Sequence, residues 1–148
     1  MEKLDFEVLL KEHNFKQMIY SCKRKREILA SGKYKGYKFY ILNLGAFPTA
    51  YVEIPKTHKF YMKHYDEIDI DVHGGLTYSE DFLEISETKG IGGSWFIGWD
   101  YAHFEDYIGF EEIYPSDFRT GSKKWTTQEI LQEVFYVIDQ LERKEYEN

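Results

Sequence analysis

The stretch that decides the fold is residues 27–44, EILASGKYKGYKFYILNL. Its second half, 37–42, is rich in aromatic and branched side chains that favour β-strands. A glycine between two such runs, here Gly36, is typical of a hairpin turn. The stretch therefore predicts two paired strands, at 27–34 and 37–44, joined by a tight turn at Lys35-Gly36.

The predicted sheet continues downstream of this hairpin. A break at 45–48 is followed by a strand at 50–54. Ile68, Ile70 and Val72 alternate with aspartates, which predicts a half-buried strand that delivers 73–75 to its end. The strongly apolar run 94–100 predicts a central strand. Three further segments are predicted more coarsely: a short helix or ordered loop at 56–67, a short strand at 83–87 and a flexible turn at 89–93.

A long helix is predicted near the end of the chain. Thr126 and Glu129 match the S/T-x-x-E capping box. Apolar residues then recur at helical spacing, at Ile130, Val134, Val137, Ile138 and Leu141. This pattern predicts a helix over 127–144.

The beginning of the chain carries a weaker pattern, which predicts a short helix over 4–13 and a weak strand at 18–20. We therefore expect one α+β domain over residues 1–148. It combines a mainly antiparallel sheet with a short N-terminal helix and a long C-terminal helix packed on one face.

The composition is that of an acidic chain able to build a core. The 148 residues carry a formal net charge of −7, and 43% of them are hydrophobic, which predicts folding rather than disorder. Proteins that bind duplex nucleic acid usually present a net basic surface. We therefore expect no duplex nucleic-acid partner, although Lys23-Arg24-Lys25-Arg26 forms one basic run.

Cysteine use and hydropathy predict where the protein acts. Cys22 is the single cysteine of the sequence, so no intrachain disulfide can form, as is usual in a reducing cytoplasm. No apolar run is long enough to cross a bilayer. We therefore expect a cytoplasmic protein with no membrane partner.

Two polar clusters set among aromatic residues are the candidate functional segments. They are DIDVHGGLTYS at 69–79 and WDYAHFED at 99–106. Such polar side chains are costly to bury without partners, and adjacent glycines let a backbone turn sharply. Both clusters adjoin predicted strands, so one polar pocket forms if those strands are neighbours.

The pattern favours the capture of a small, nucleotide-like anionic ligand. Aromatic faces would stack on the ligand, while glycine N–H groups and polar side chains would bind its other groups. The predicted ligand-binding residues are His73, Gly74, Gly75, Thr77, Tyr78, Trp95, Trp99, Asp100 and His103.

Two chemical alternatives use an overlapping set of residues. In an enzyme, His73 would be a base oriented by an aspartate and His103 an acid, so the catalytic residues would be His73, Asp100 and His103. In a metal site, the ligands would be His73, Asp100, His103 and Asp106, although their spacing matches no zinc signature. No P-loop or dinucleotide fingerprint is present, so no cofactor is predicted. Each residue alone could instead serve a turn or a cap.

The same blocks resemble an uncharacterised family of small bacteriophage and prophage proteins. The family shares a D-x-x-V-H-G-G-L-T-Y block, here Asp69–Tyr78, and a W-x-G-[FW]-D-x-A-H-x-x-D block, whose last nine positions stand here at 98–106. Many members have Cys-Ala-His-Ala-Gly-Asp after the aspartate. This chain has Tyr101 in place of that cysteine and Phe104-Glu105 in place of the small pair, so a role that needs the thiol is not carried over.

The resemblance implies a phage-encoded accessory protein of the host cytoplasm. By analogy with phage sponges, it favours an anti-defence protein that sequesters an immune messenger, such as a cyclic nucleotide or an ADP-ribose derivative. Such a binder would be a homo-oligomer. The alternatives are a metal- or His/Asp-dependent hydrolase of a nucleotide-like substrate, and a protein-binding inhibitor of a host defence enzyme.

Overall fold

The computed structural model describes residues 14–15, 26–45, 47–103, 106 and 123–147. The helix predicted over 4–13 and the weak strand predicted at 18–20 lie outside these residues. Within the described residues, no helix is long and apolar enough to cross a membrane.

One antiparallel sheet forms the centre of the fold. Its strands are β1 (Asn14–Phe15), β2 (Glu27–Tyr34), β3 (Tyr37–Asn43), β4 (Pro48–Ile54), β5 (Tyr78–Glu84) and β6 (Gly90–Asp100). Their order across the sheet is β1-β2-β3-β4-β6-β5, and all neighbours are antiparallel. The long strand β6 therefore lies between β4 and β5, as its continuous apolar run predicted.

The hairpin of β2 and β3 forms at the predicted position. Lys35 and Gly36 have φ values of 50° and 86°, and Tyr34 pairs with Tyr37 across the turn. A two-residue turn with positive φ at both positions matches the right-handed twist of the strands it joins. The predicted strand bounds are confirmed to within one residue here.

The C-terminal helix, α1, spans Thr127–Glu145. The predicted capping box is confirmed, because Thr126 Oγ1 accepts a hydrogen bond from the Glu129 N–H at 3.1 Å, and Glu129 Oε1 accepts one from the Thr126 N–H at 3.0 Å. All five predicted core positions of the helix are fully buried: Ile130, Val134, Val137, Ile138 and Leu141.

The two faces of the sheet carry separate apolar clusters. The helix packs on one face, in a core shared with Phe39, Val52, Ile97 and Trp99. Leu42, Tyr51, Leu83 and Phe96 form a smaller cluster on the other face. Since side chains alternate along a strand, neighbouring residues of β6 contribute to opposite clusters. The α+β class and the placement of the long helix on one face are confirmed.

The prediction of a strand over 68–72 was wrong, because no strand forms there and the Ile70 N–H donates to the Ile68 carbonyl at 3.2 Å. Burial along this segment alternates as predicted, with Ile68, Ile70 and Val72 buried. The hydrogen bonds come from the helix instead: the Asp71 N–H donates to Gln140 Oε1 at 2.8 Å, and Gln140 Nε2 donates to the Asp71 carbonyl at 2.7 Å. One glutamine amide thus takes the place of a neighbouring strand.

The glycine-rich turn predicted at 89–93 was also wrong, because β6 begins at Gly90 and pairs with β5 from there. A Cβ atom at Gly90 would lie 2.2 Å from the Phe82 ring, so this glycine makes room for a ring across the strand pair. Of the strand predicted at 83–87, residues 83–84 form the end of β5, and residues 85–87 lie in the turn that leads to β6. The coarse segment 56–67 ends in a 3-10 helix, Tyr65–Glu67.

We expect Gln140→Leu to lower the free energy of unfolding by about 1–3 kcal/mol, because it leaves the Asp71 N–H and carbonyl without their partner. The matched control is Gln132→Leu, an exposed glutamine of the same helix, which should change stability by less than about 0.5 kcal/mol. Urea denaturation of both variants measures the difference. Equal effects would show that the amide does not hold the segment.

Candidate functional site

Three side chains from the two polar segments meet at one point of the structure. A ring nitrogen of His73, a ring nitrogen of His103 and a carboxylate oxygen of Asp106 all lie within 4.8 Å of one another. His73 Nε2 is 2.9 and 3.0 Å from the two carboxylate oxygens of Asp106. We call these three residues the histidine–aspartate cluster.

Asp106 is the buried member of the cluster, with 2% of its surface exposed. Trp125 Nε1 donates to its Oδ1 atom at 2.8 Å, and the His103 N–H donates to its Oδ2 atom at 3.0 Å. A buried carboxylate is costly unless such donors pair its oxygens. The donors therefore fix the carboxylate in the orientation that receives His73.

The His73 ring is fixed by the core and by the helix. It stacks on Tyr101 with 4.8 Å between centroids and 8° between planes, and it packs against Trp125. Its backbone N–H donates to Glu133 Oε1, on helix α1, at 2.7 Å. Since Tyr101 is fully buried, the imidazole rests on a rigid support.

The glycine pair after His73 shapes the cluster. Gly74 has φ of 67°, and a Cβ atom there would lie 1.9 Å from His103 Nε2. Gly75 has φ of 83° with open space around the Cβ position, and its N–H donates to the Val72 carbonyl at 2.9 Å. Gly74 thus lets the backbone pass against the His103 ring, a role that only a residue without a side chain can fill.

Asp100 lies beside the cluster. Its carboxylate accepts hydrogen bonds from Thr77 Oγ1 at 3.0 Å and from the Ala102 N–H at 3.1 Å. Its Oδ1 atom is 3.6 Å from His103 Nε2, which is beyond hydrogen-bond distance. Within the described part of the chain, His103 Nε2 is buried and has no hydrogen-bond partner. Asp100 therefore orients the loop, while one nitrogen of His103 stays unpaired.

Three of the predicted stacking rings lie away from the cluster. Trp99 is 1% exposed, and its Nε1 atom donates to the Tyr101 hydroxyl at 3.0 Å, so its faces belong to the core. Tyr78 packs edge-on against Tyr51 on the opposite face of the sheet. Trp95 is half-buried on the helix face and donates to the Lys63 carbonyl at 3.1 Å. Among the described residues, Tyr101 and Trp125 are the rings outside the cluster that pack against His73.

Sequence reasoning missed Trp125 and Glu133. The available signal for Trp125 was its place directly before the Thr126 cap, and for Glu133 its place on the predicted helix. Neither position indicates contact with a segment more than fifty residues earlier. Only the packing of the helix on the sheet brings the two side chains to His73.

Among the residues that the structure describes, the surroundings of the cluster are acidic. Burial, together with the charges of Glu133, Asp106 and Glu129, raises the pKa of the Tyr101 hydroxyl above its ordinary value, against the hydrogen bond from Trp99, which lowers it. Lys123 lies nearby, 4.0 Å over the Trp125 ring, but its ammonium is 2.7 Å from Glu129 Oε2. The Tyr101 hydroxyl therefore stays neutral. The charged groups named here carry more negative than positive charge.

We expect Trp125→Phe to lower the free energy of unfolding by about 1.5–3 kcal/mol, because it removes a hydrogen bond to a buried carboxylate. Trp95→Phe is the matched control, since it removes an indole hydrogen bond to a backbone carbonyl, and should cost about 1 kcal/mol. Chemical denaturation of both variants measures the two losses. A smaller loss at Trp125 than at Trp95 would contradict its role in holding Asp106.

No protein-family model, no curated protein and no solved structure matches the chain. The resemblance to phage proteins therefore stays a prediction from the two sequence blocks.

Proposed function

We propose that the protein captures and holds a small anionic ligand at the histidine–aspartate cluster. The supporting observation is the convergence of two imidazole rings on a buried carboxylate, within 4.8 Å. The side chains of His73 and His103 keep 25% and 37% of their surface exposed, so a ligand can reach them. Polar groups that converge beside an accessible surface are typical of ligand sites.

The support of the cluster favours tight binding. The rings of His73, Tyr101 and Trp125 pack on one another with centroids 4.8–5.0 Å apart. A site that is already ordered loses less conformational entropy when a ligand binds. Trp125, which is half-buried, replaces Trp99 as the ring that would contact a flat ligand.

The ligand class and setting rest on the two family-like blocks of the sequence. By that analogy, the ligand is a nucleotide messenger of bacterial immunity, such as a cyclic nucleotide or an ADP-ribose derivative. The protein would then act as a phage anti-defence sponge in the cytoplasm of the host cell, as a homo-oligomer. This role requires the ligand to be held intact.

One specific observation favours a second candidate, a hydrolase of a nucleotide-like substrate. The hydrogen bonds between His73 Nε2 and the Asp106 carboxylate, at 2.9 and 3.0 Å, fix the tautomer and orientation of the imidazole. A carboxylate in this position is typical of a histidine that acts as a general base. In this candidate the same ligand would be cleaved after it binds.

Mass spectrometry separates the two candidates. The full-length protein is incubated with cyclic dinucleotides, cyclic trinucleotides and cyclic ADP-ribose, washed, denatured, and the released small molecules are identified. We expect one compound to be recovered intact at a fixed stoichiometry. Recovery of its cleavage product would instead support the hydrolase.

The matched variants are His73→Ala and His64→Ala. His64 is an exposed histidine that also faces an aspartate, with 3.4 Å between its Nδ1 atom and the Asp66 carboxylate, but it lies outside the cluster. We expect ligand recovery to be lost in His73→Ala and kept in His64→Ala. Equal recovery from both variants would contradict binding at the cluster.

A further inference from the structure

We infer that His73, His103 and Asp106 bind a divalent transition-metal ion, and that this ion receives the acidic group of the ligand. Two imidazoles and one carboxylate are a ligand set that Zn²⁺ and similar ions accept. The inference extends the proposed function, but the metal site can be tested without any ligand.

The geometry is close to that of a metal site. Tetrahedral Zn²⁺ with bonds of about 2.0–2.2 Å places neighbouring ligand atoms about 3.3–3.6 Å apart. The His73 and Asp106 ligand atoms are 2.9 Å apart, and all three ligand atoms lie within 4.8 Å of one another. Metal binding would require the His103 ring to rotate until the third ligand atom comes into range, and this side chain is 37% exposed.

The unpaired nitrogen of His103 points to a missing partner. A polar atom that is shielded from water and makes no hydrogen bond is costly, and such atoms in native proteins usually have a function. Among the described residues, His103 Nε2 is such an atom. A metal ion bound to this nitrogen would also attract the Asp100 carboxylate, whose Oδ1 atom lies 3.6 Å from His103 Nε2.

The charge around the cluster also favours a cation. Asp106 and Asp100 contact the two histidines, and Glu133 binds the backbone of His73. Lys123, a nearby cation, is already paired with Glu129. These carboxylates would repel an anionic ligand. A bound divalent cation would make the interaction between the site and the ligand attractive.

Two of the donors predicted to bind the anion directly are used inside the protein. The Gly75 N–H donates to Val72, and Thr77 Oγ1 donates to Asp100. Three protein ligands leave at least one coordination position of a tetrahedral ion open, which is the arrangement of metal sites that bind substrates. An acidic group of the ligand would take that position.

The groups that hydrogen-bond to the proposed metal-binding residues are those expected around a metal site. Trp125 Nε1 and the His103 N–H orient the Asp106 carboxylate, at 2.8 and 3.0 Å. Outer partners of this kind orient metal ligands and tune their affinity, commonly by 10–100-fold. Trp125→Phe should therefore weaken metal binding about tenfold without removing a ligand.

Isothermal titration of the metal-free, full-length protein with Zn²⁺ tests the inference. We expect one site per chain in the unchanged protein, and a dissociation constant at least about 100-fold weaker in His103→Ala and in Asp106→Asn. His64→Ala and Asp66→Asn remove an exposed histidine–aspartate pair elsewhere and should leave the site unchanged. Circular dichroism at the titration temperature confirms that each variant is folded.

Absence of Zn²⁺ binding by the unchanged protein, or equal binding by a folded His103→Ala variant, would overturn the inference. If Asp106→Asn does not fold, His103→Ala alone decides, because His103 is partly exposed. Ligand recovery from metal-free protein separates the two proposals: capture without metal overturns the inference that the ion receives the ligand, and leaves the proposed function standing. Metal binding with no ligand captured contradicts only the proposed function.

Discussion

Gly74→Ala is expected to abolish binding at the histidine–aspartate cluster while leaving the protein folded. The new Cβ atom would lie 1.9 Å from His103 Nε2, and 2.4 and 2.5 Å from two carbon atoms of the same ring. No real Cβ atom tolerates such contacts, so the imidazole must move. Since the ring belongs to a partly exposed side chain, it can swing towards solvent at little cost, but it then leaves the cluster.

Gly75→Ala is the matched control for this change. Both glycines have positive φ, so each alanine adds about 1–2 kcal/mol of backbone strain. Gly75 has open space at the Cβ position, so its variant carries the strain without the collision. We expect a similar loss of stability in both, but a loss of Zn²⁺ affinity of about 100-fold or more in Gly74→Ala alone.

Urea denaturation measures the two stabilities, and titration with Zn²⁺ and with the captured nucleotide measures binding. The imidazole NMR signals of His103 report its displacement directly. Equal binding by the two variants would show that the position of His103 against Gly74 does not matter to the site.

The hairpin and the long helix could be predicted because their signals are local. The turn at Lys35-Gly36 lies between its two strands, and the Thr126 cap lies within three residues of Glu129. In each case the residues that form the element are close in the sequence, so their preferences act without knowledge of the rest of the fold.

The segment 68–72 shows where local reasoning fails. The alternation of apolar residues with aspartates predicted a strand, and burial does alternate, but the partner that binds Asp71 is Gln140, 69 residues later on the helix. A side-chain amide offers the same donor and acceptor as a strand backbone. No local pattern distinguishes a segment paired with a strand from one paired with such an amide.

The candidate site was anticipated in part, for a similar reason. His73, His103 and Asp106 were singled out by composition, and the structure brings them together. Their ring neighbours depend on strand register, which the sequence does not reveal. Tyr78 pairs with Gly98 and so faces the side of the sheet away from Trp99. A shift of one residue would reverse that placement.

Trp99→Ala is expected to have the largest effect on stability, lowering the free energy of unfolding by about 3–5 kcal/mol. Trp99 is 1% exposed in the core under the helix, so its removal leaves a large cavity. It also removes the donor to the Tyr101 hydroxyl, on whose ring His73 stacks. The Trp99 indole therefore supports the site through Tyr101, although it is too buried to contact a ligand itself.

Two further variants separate the cavity from the hydrogen bond. Trp99→Phe keeps most of the volume but leaves the buried Tyr101 hydroxyl without its donor, and should cost about 1–3 kcal/mol. Trp95→Ala removes a half-buried tryptophan from the same strand and face, so it should cost clearly less than Trp99→Ala. Calorimetric and urea unfolding measure all three. A ring buried in the core can affect the ligand only through the fold. Loss of ligand binding in Trp99→Ala without loss of stability would therefore show that Trp99 binds the ligand directly.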